Sequence, residues 1–336
     1  MNQRSLLGLF ALALALPLAA KDIHELNQSL SPGINLGNTL EVPADGSWTD
    51  VVKADPKMID RIAEQGFASV RVPIRWSDYA ADTPPYTIQP QFFKLVDSIV
   101  DRALDHDLKV IINVHHYNEF YEDPYAELPQ FLAIWQQVAQ HYEGYDRDEL
   151  FFEILNEPHG NMTQELWEAI YPPALMIIRQ ENEDRPVLMG GSPWNGWQTL
   201  ADLDWPKNDD NLIATFHYYL PFEFTHQGAE WLEEPPPVGT RFTDSIEELV
   251  AMSSHFAQVK AWADGLGVPV CVGEFGAYST ADMESRVAYT RTVREMCEAF
   301  GFSWHYWEFA SGFGIYDPQT GKYRTGLRDA LLKDAQ

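Results

Sequence analysis

Phe151-Phe152-Glu153-Ile154-Leu155-Asn156-Glu157-Pro158 begins as an apolar run and ends abruptly in an amide, a carboxylate and a proline. The run has the length and residue types of a buried strand. Pro158 cannot donate to a sheet ladder, and it pushes Glu157 towards an extended or turn conformation. Asn156 and Glu157 are therefore expected at the carboxyl end of a strand, where parallel α/β proteins place their chemistry. Val268-Pro269-Val270-Cys271-Val272-Gly273-Glu274-Phe275-Gly276 has the same character. Two strands each deliver one glutamate to a rim.

Outward from this pair, six further apolar runs of strand length fall at 33–36, 69–74, 109–114, 186–190, 211–216 and 302–307. Helical spacing, or helix start and stop signals, separate most of them. Residues 55–66 carry Pro56 in the first turn and Gly66 at the end, the expected asymmetry of a helix. Residues 91–106, 128–142, 245–266 (ended by Gly267), 281–300 and 328–333 also read as helices. So does the segment capped by Thr163, which Tyr171-Pro172-Pro173 is expected to kink or split. Residues 21–30 read as a polar opening. Residues 220–243 form the longest connection, and loops of that length are uncommon unless functional. Eight apolar strands with this helical rhythm predict the α/β class and a single-domain (β/α)8 TIM barrel.

The first twenty residues stand apart. Arg4 supplies a positive start, Leu6 to Leu18 an apolar run, and Ala19-Ala20 a small-residue cleavage point. This pattern predicts a secretory signal peptide over 1–20, with the catalytic domain over 21–336 and a secreted product. The run is short for a bilayer span. The chain has 336 residues and a net charge of −27. Such a surface repels nucleic acid and anionic lipid and is compatible with a neutral polymer. Cys271 and Cys297 lie in an apolar strand and a helix, and are expected to be buried thiols rather than a disulfide framework. The chain is expected to be a monomer, off the membrane once the signal is removed.

Polar residues gather where the strands end: Asn38 and Glu41, Arg71, His115 and His116, Asn156 and Glu157, His217 and Tyr219, Glu274, Trp307 and Glu308. Closing a barrel brings them to one rim. Two facing carboxylates are the minimal equipment for cleaving a glycosidic bond. His115-His116 suggests a metal, but adjacent residues on extended chain point opposite ways and no third ligand has suitable spacing. Neither metal nor other cofactor is expected. Glu153 reads as a paired structural carboxylate, and Glu308 is the rival to Glu274.

Gly33-Ile34-Asn35-Leu36-Gly37-Asn38, Arg71-Val72-Pro73-Ile74-Arg75-Trp76, Asn113-Val114-His115-His116, Asn156-Glu157-Pro158, His217-Tyr218-Tyr219, Gly273-Glu274-Phe275-Gly276 and Trp307-Glu308-Phe309 occur in that order. The set resembles glycoside hydrolase family 5, (β/α)8 endoglucanases with catalytic glutamates on strands four and seven. Residues 222–231 and 307–316 resemble the bacterial branch with side activity on mannan. The resemblance implies a retaining endo-β-1,4-glucanase, or a β-mannanase or dual enzyme of the same mechanism. It implies Glu157 as acid/base and Glu274 as nucleophile, with Arg71 and Tyr219 as partners of the nucleophile. By the same resemblance Asn156 donates to the sugar 2-OH, and His115, with His116 beside it, and His217 line the subsite next to the cleaved bond. Trp307 forms its aromatic floor. Asn38, Glu41, His226 and Trp231 match positions used by mannan-active relatives. Trp48, Trp76, Trp194 and Trp197 are candidates for distal subsites or for packing.

Overall fold

The computed structural model describes residues 21–332, so the expected signal peptide lies outside the described residues. Eight parallel strands close on themselves: β1 (Gly33–Asn35), β2 (Ser69–Val72), β3 (Lys109–Asn113), β4 (Leu150–Glu153), β5 (Val187–Met189), β6 (Leu212–His217), β7 (Val270–Glu274) and β8 (Ser303–Tyr306). β1 pairs with β8, so no sheet edge is left open in the barrel. The predicted TIM barrel is the fold that forms, and all eight predicted strands are present.

Alternation along the strands sorts the interior into layers. Ile111, Phe151, Leu188, Ile213 and Cys271 pack together as a lower apolar layer. One pleat higher, Asn35 is in register with Arg71, and Asn113 with Glu153. These four polar side chains are all fully buried. The alternate residues Val70, Val72, Val110, Ile112 and Phe152 join the larger apolar cluster with the surrounding helices.

The helices start and stop where local chemistry dictates. Asp55 caps Pro56–Glu64, Thr163 caps Gln164–Glu181 and Asp282 caps Met283–Phe300. Ser245 and Glu248 form a reciprocal capping box at the start of Ile246–Leu266, and Gly267 ends that helix in the left-handed region.

Two local expectations are corrected, and a hairpin is added to them. The segment after Thr163 is not split but runs as one helix, Gln164–Glu181, with Pro172 and Pro173 inside it. Both prolines, and the residues four positions earlier, Glu168 and Ala169, lie at least partly in solvent. The carbonyls they leave unbonded can be hydrated, which moderates the cost of an interior proline. The polar opening contains a short helix, Ile23–Gln28, capped by Asp22. Its Leu26, with Leu30 just beyond, completes the lower apolar layer and plugs the amino end of the barrel. A small hairpin, Tyr316–Asp317 with Lys322–Tyr323, precedes the closing helix Thr325–Leu331.

Cys271 and Cys297 are buried free thiols. Among the described residues, no helix is long and apolar enough to cross a membrane.

Candidate active site

Arg71 is the hub of the polar layer. Its Nε and Nη2 donate to the two oxygens of Glu153 at 2.6 and 3.0 Å. Nη1 donates to Asn35 Oδ1 and to Glu274 Oε1, both at 2.7 Å, and Nη2 also donates to Asn156 Oδ1 at 2.6 Å. All five guanidinium protons are thus committed, in the planar fork that Arg alone offers. Burial alone would lower the Arg71 pKa, but Glu153 and Glu274 overcome it and hold the group charged. Glu153 is the paired structural carboxylate the sequence predicted; Asn113 Nδ2 also donates to it at 3.2 Å.

Glu274 stands at the end of β7, nearly buried. Its second oxygen accepts from the Tyr219 hydroxyl at 2.9 Å. Burial pushes its pKa up, and the Arg71 guanidinium only partly offsets that. Glu157 has a different environment. Among the described residues, no guanidinium or hydroxyl donor contacts its carboxylate; its partner is His217, whose Nδ1 lies 2.5 Å from Oε1. Burial is the main cause that raises the Glu157 pKa to about 8, although 21% of its side chain is exposed. Burial also lowers His217 to about 4, so this imidazole is neutral at pH 7. Burial raises both carboxyls, and Glu157 at about 8 keeps its proton at pH 7; what sets Glu274 apart is the Arg71 and Tyr219 donors that favour its anion.

The amide of Asn156 is oriented by Arg71, which occupies Oδ1 and leaves Nδ2 for a ligand. Asn113 Nδ2 donates to His115 Nδ1 at 3.1 Å, which places the remaining His115 proton on Nε2. His115 and His116 do not point opposite ways as extended chain would require. His116 has φ of 50°, which breaks the alternation, and the two rings stack 4.4 Å apart. Trp307 lies parallel to His115 at 5.8 Å, and Trp48 meets His116 edge-on at 5.1 Å. Gly37 gives the indole room: a Cβ there would stand 3.0 Å from the Trp307 ring.

On the other side of Glu274, His226 lies edge-on to Tyr219 at 4.9 Å and stacks on Phe222 at 4.3 Å. Trp231 is 56% exposed and rests against Tyr278 at 4.7 Å. Asn38 Nδ2 donates to Asp50 O at 2.7 Å. Glu41 is fully buried, and its carboxylate accepts the backbone N–H groups of Asn38 and Thr39, holding the turn after β1. Glu308 is also fully buried, and Ala310 N, Ser311 N, Ser311 Oγ and Phe313 N all donate to it. Its oxygens are engaged in holding that loop. Trp76 is core, donating to Asn113 O at 2.9 Å. Trp197 stacks on His255 of the helix Ile246–Leu266.

Several contributors carried no sequence signal of their own. Asn35 looked like part of a strand, yet it joins Arg71 to the Gly273 and Tyr306 carbonyls. Asn195, at φ of 53°, donates to Asn156 O at 3.0 Å. His159 Nδ1 lies 2.6 Å from Glu157 O and stacks under the half-exposed Trp194 at 3.5 Å. Only a spacing rule for residues two or three positions before a rim residue would have found Asn35 and Asn113.

Among the described residues, Glu157, His217 and Glu274 are the group of three potential ligand side chains close enough to share a cation. Glu157 is already paired with His217, and Glu274 with Arg71 and Tyr219. The arrangement suits proton transfer and attack by a carboxylate.

The family model described as Cellulase (glycosyl hydrolase family 5) matches residues 32–312. The chain belongs to glycosyl hydrolase family 5. Endoglucanase H of Acetivibrio thermocellus is 36% identical over 319 residues, covering 93% of this chain and 34% of that protein. Endoglucanase 3 of Fibrobacter succinogenes is 29% identical over 364 residues, covering 94% of this chain and 54% of that protein. The chain thus spans about a third to a half of these relatives. A structure of Thermotoga maritima Cel5A in complex with cellobiose is 43% identical with a TM-score of 0.89, covering 93% of this chain and all of that one. A complex of the same protein with mannotriose superposes equally well, with a TM-score of 0.89 at 43% identity.

Proposed function

We propose that the chain is a retaining endo-β-1,4-glucanase acting by double displacement. One observation carries the stereochemistry: an oxygen of Glu157 and an oxygen of Glu274 lie within 4.8 Å of each other. Retaining enzymes hold their carboxyl groups about 5–5.5 Å apart, whereas inverting ones leave about 6.5–9.5 Å for a water. Glu157 gives its proton to the leaving glycosidic oxygen as Glu274 attacks the anomeric carbon and the C–O bond breaks. Water then enters, loses a proton to Glu157 and displaces Glu274. Asn156 Nδ2 serves the sugar 2-OH, and Trp307 gives an aromatic face to the ring. His115, His116 and His217 line the subsite beside it.

Proton NMR of the first product from a soluble β-glucan tests the reading. A β anomer is expected; an α anomer excludes the mechanism. Glu157→Gln and Glu274→Gln should each lose several orders of magnitude in turnover.

A second reading, activity on mannan or glucomannan, is favoured by the mannotriose complex of a relative 43% identical to this chain. Asn38, His226 and Trp231 are the side chains proposed to serve it, with Glu41 supporting them by holding the turn that carries Asn38. Initial rates on glucan, mixed-linkage glucan, xyloglucan and mannan decide between the two. We further propose that residues 1–20 direct export and that residues 21–336 work outside the cytoplasm as a monomer. Mass spectrometry of the secreted product and its sedimentation test this.

A further inference from the structure

Beneath the glutamate pair, two buried polar atoms lack a hydrogen-bond partner among the described residues and lie against the same glycine. They are His217 Nε2 and Thr215 Oγ1, two positions apart on β6. The β6–β7 register slips between Phe216 and His217, which pair with Val272 and Glu274, so Gly273 has no partner across the ladder. A Cβ on Gly273 would stand 2.9 Å from Thr215 Oγ1 and 3.0 Å from His217 Nε2. Both atoms therefore press on the side of Gly273 that any larger side chain would have to share with them. Thr215 is fully buried and His217 nearly so.

His217 Nδ1 lies 2.5 Å from Glu157 Oε1. If Glu157 is to keep the proton it donates to the leaving group, that proton must point at a bare Nδ1. The imidazole proton then sits on Nε2, where a buried N–H without an acceptor would cost its full desolvation penalty. Thr215 Oγ1 is the second polar atom on that side of Gly273. We propose that Thr215 is a positioning residue of this site. One internal water beside Gly273 accepts the Nε2 proton of His217 and donates to the Thr215 hydroxyl, which fixes that tautomer and so presents the Nδ1 lone pair to the acid/base Glu157. A water needs two or more polar partners in such a place, and these two atoms provide them. The inference rests on the glycosidase reading of Glu157.

The charged and titratable groups around His217 and Glu157 are Arg71 on β2, His115 just after β3, Glu153 on β4, Glu274 on β7, Tyr219 after β6 and Tyr121 on the helix Asn118–Glu122. All are unchanged by a substitution at Thr215, so a difference between variant and wild type isolates the tautomer. Thr215→Val keeps the shape and removes the acceptor. The Nε2–H form loses its partner, the Nδ1–H form gains weight, and Nδ1–H donates to an ionised Glu157. The alkaline limb of kcat/KM on a soluble β-glucan should move to lower pH by about one unit. Long-range proton–nitrogen NMR of histidine-labelled enzyme should show the His217 proton on Nε2 in the wild type and shifted towards Nδ1 in the variant. Thr215→Ser should restore both the limb and the tautomer. Gly273→Ala, which places a methyl against both atoms, should mimic Thr215→Val and replaces it if that variant fails to fold. Superimposable pH profiles and an unchanged His217 spectrum would overturn the proposal. A wild type inactive on every glycan would overturn the glycosidase reading instead, and the NMR comparison would still decide the tautomer.

Discussion

Arg71 and Glu153 are joined by two parallel hydrogen bonds of 2.6 and 3.0 Å, and neither side chain is exposed to solvent. Glu153 fixes the plane of the guanidinium, and the guanidinium in turn orients Glu274 and Asn156. Removing one partner of such a pair strands a buried charge, at a cost of about 3–5 kcal/mol. Glu153→Gln should lower stability by about that much in urea unfolding. Arg71→Lys should do likewise, because an ammonium cannot reproduce the five-donor fork. Both should also lower kcat more than they raise KM, since the groups they misplace act on the transition state. A stable, fully active Arg71→Lys enzyme would refute this role for the hub.

Tyr219 donates to Glu274 Oε2 at 2.9 Å, and burial with the neighbouring carboxylates holds the phenol well above its ordinary pKa, so it stays a donor across the working range. Tyr219→Phe removes that donor and nothing else of its shape. A hydrogen bond to a charged group is worth about 1.5–3 kcal/mol, so a loss of roughly 10- to 100-fold in kcat is expected. Pre-steady-state kinetics with an activated aryl glycoside would place the loss in formation of the glycosyl-enzyme.

Glu157 gives the pH dependence a definite sign. Burial raises its pKa to about 8. As a proton donor it is competent below that value, so activity should fall as the pH rises past 8. The same shift enters stability. A carboxyl raised on folding contributes stability that is present below its unfolded pKa and is lost as the pH rises through its folded value. Glu157→Gln has no charge to desolvate. The inactive variant should therefore match the wild type near pH 4 and exceed its melting temperature increasingly between pH 5 and 8. Parallel melting curves at all pH values would contradict the buried-acid assignment.

Glu308 and Glu274 are both glutamates at the ends of adjacent strands, and their surroundings separate them. Four donors from residues 310–313 converge on Glu308, and burial raises its pKa to about 7. Glu308→Ala should loosen that loop and the neighbouring Trp307. A raised KM, a lowered melting temperature and measurable residual turnover are expected, whereas Glu274→Ala should abolish turnover while leaving the fold intact by circular dichroism.

The barrel was legible because buried parallel strands must be apolar, and each rim motif combines such a run with an abrupt polar end. Glu157 and Glu274 stood out for that reason, and Glu153 was recognised by its place inside a strand. The orientation of His115 and His116 was not legible, because it depends on one left-handed backbone torsion that the sequence does not mark. Asn35 and Asn113 look like strand interior until closure of the barrel places them beside Arg71 and Glu153. The helix Ile23–Gln28 was missed for a similar reason. It has only six residues and an exposed polar face, and its buried apolar contribution is Leu26 and the following Leu30, with the half-buried Ile23 packed against the same layer, whose members lie on five different strands.

That plug permits a prediction that separates fold from chemistry. Leu26 is fully buried against Ile111, Phe151, Leu188, Ile213 and Cys271, at the end of the barrel opposite the glutamates. Truncation to alanine removes three heavy atoms from a layer that the strands cannot collapse to fill, because their register is set by ladders on both sides. A loss of about 2–5 kcal/mol is expected, read as an earlier midpoint in denaturant with an unchanged slope. Since the polar layer of Asn35, Arg71, Asn113 and Glu153 lies between the plug and the site, kcat/KM at 25 °C should remain within about twofold of wild type, a change in barrier of less than about 0.5 kcal/mol. A large fall in kcat/KM with little change in stability would mean that the lower layer transmits its packing to the catalytic rim, and that the two layers are not mechanically separate.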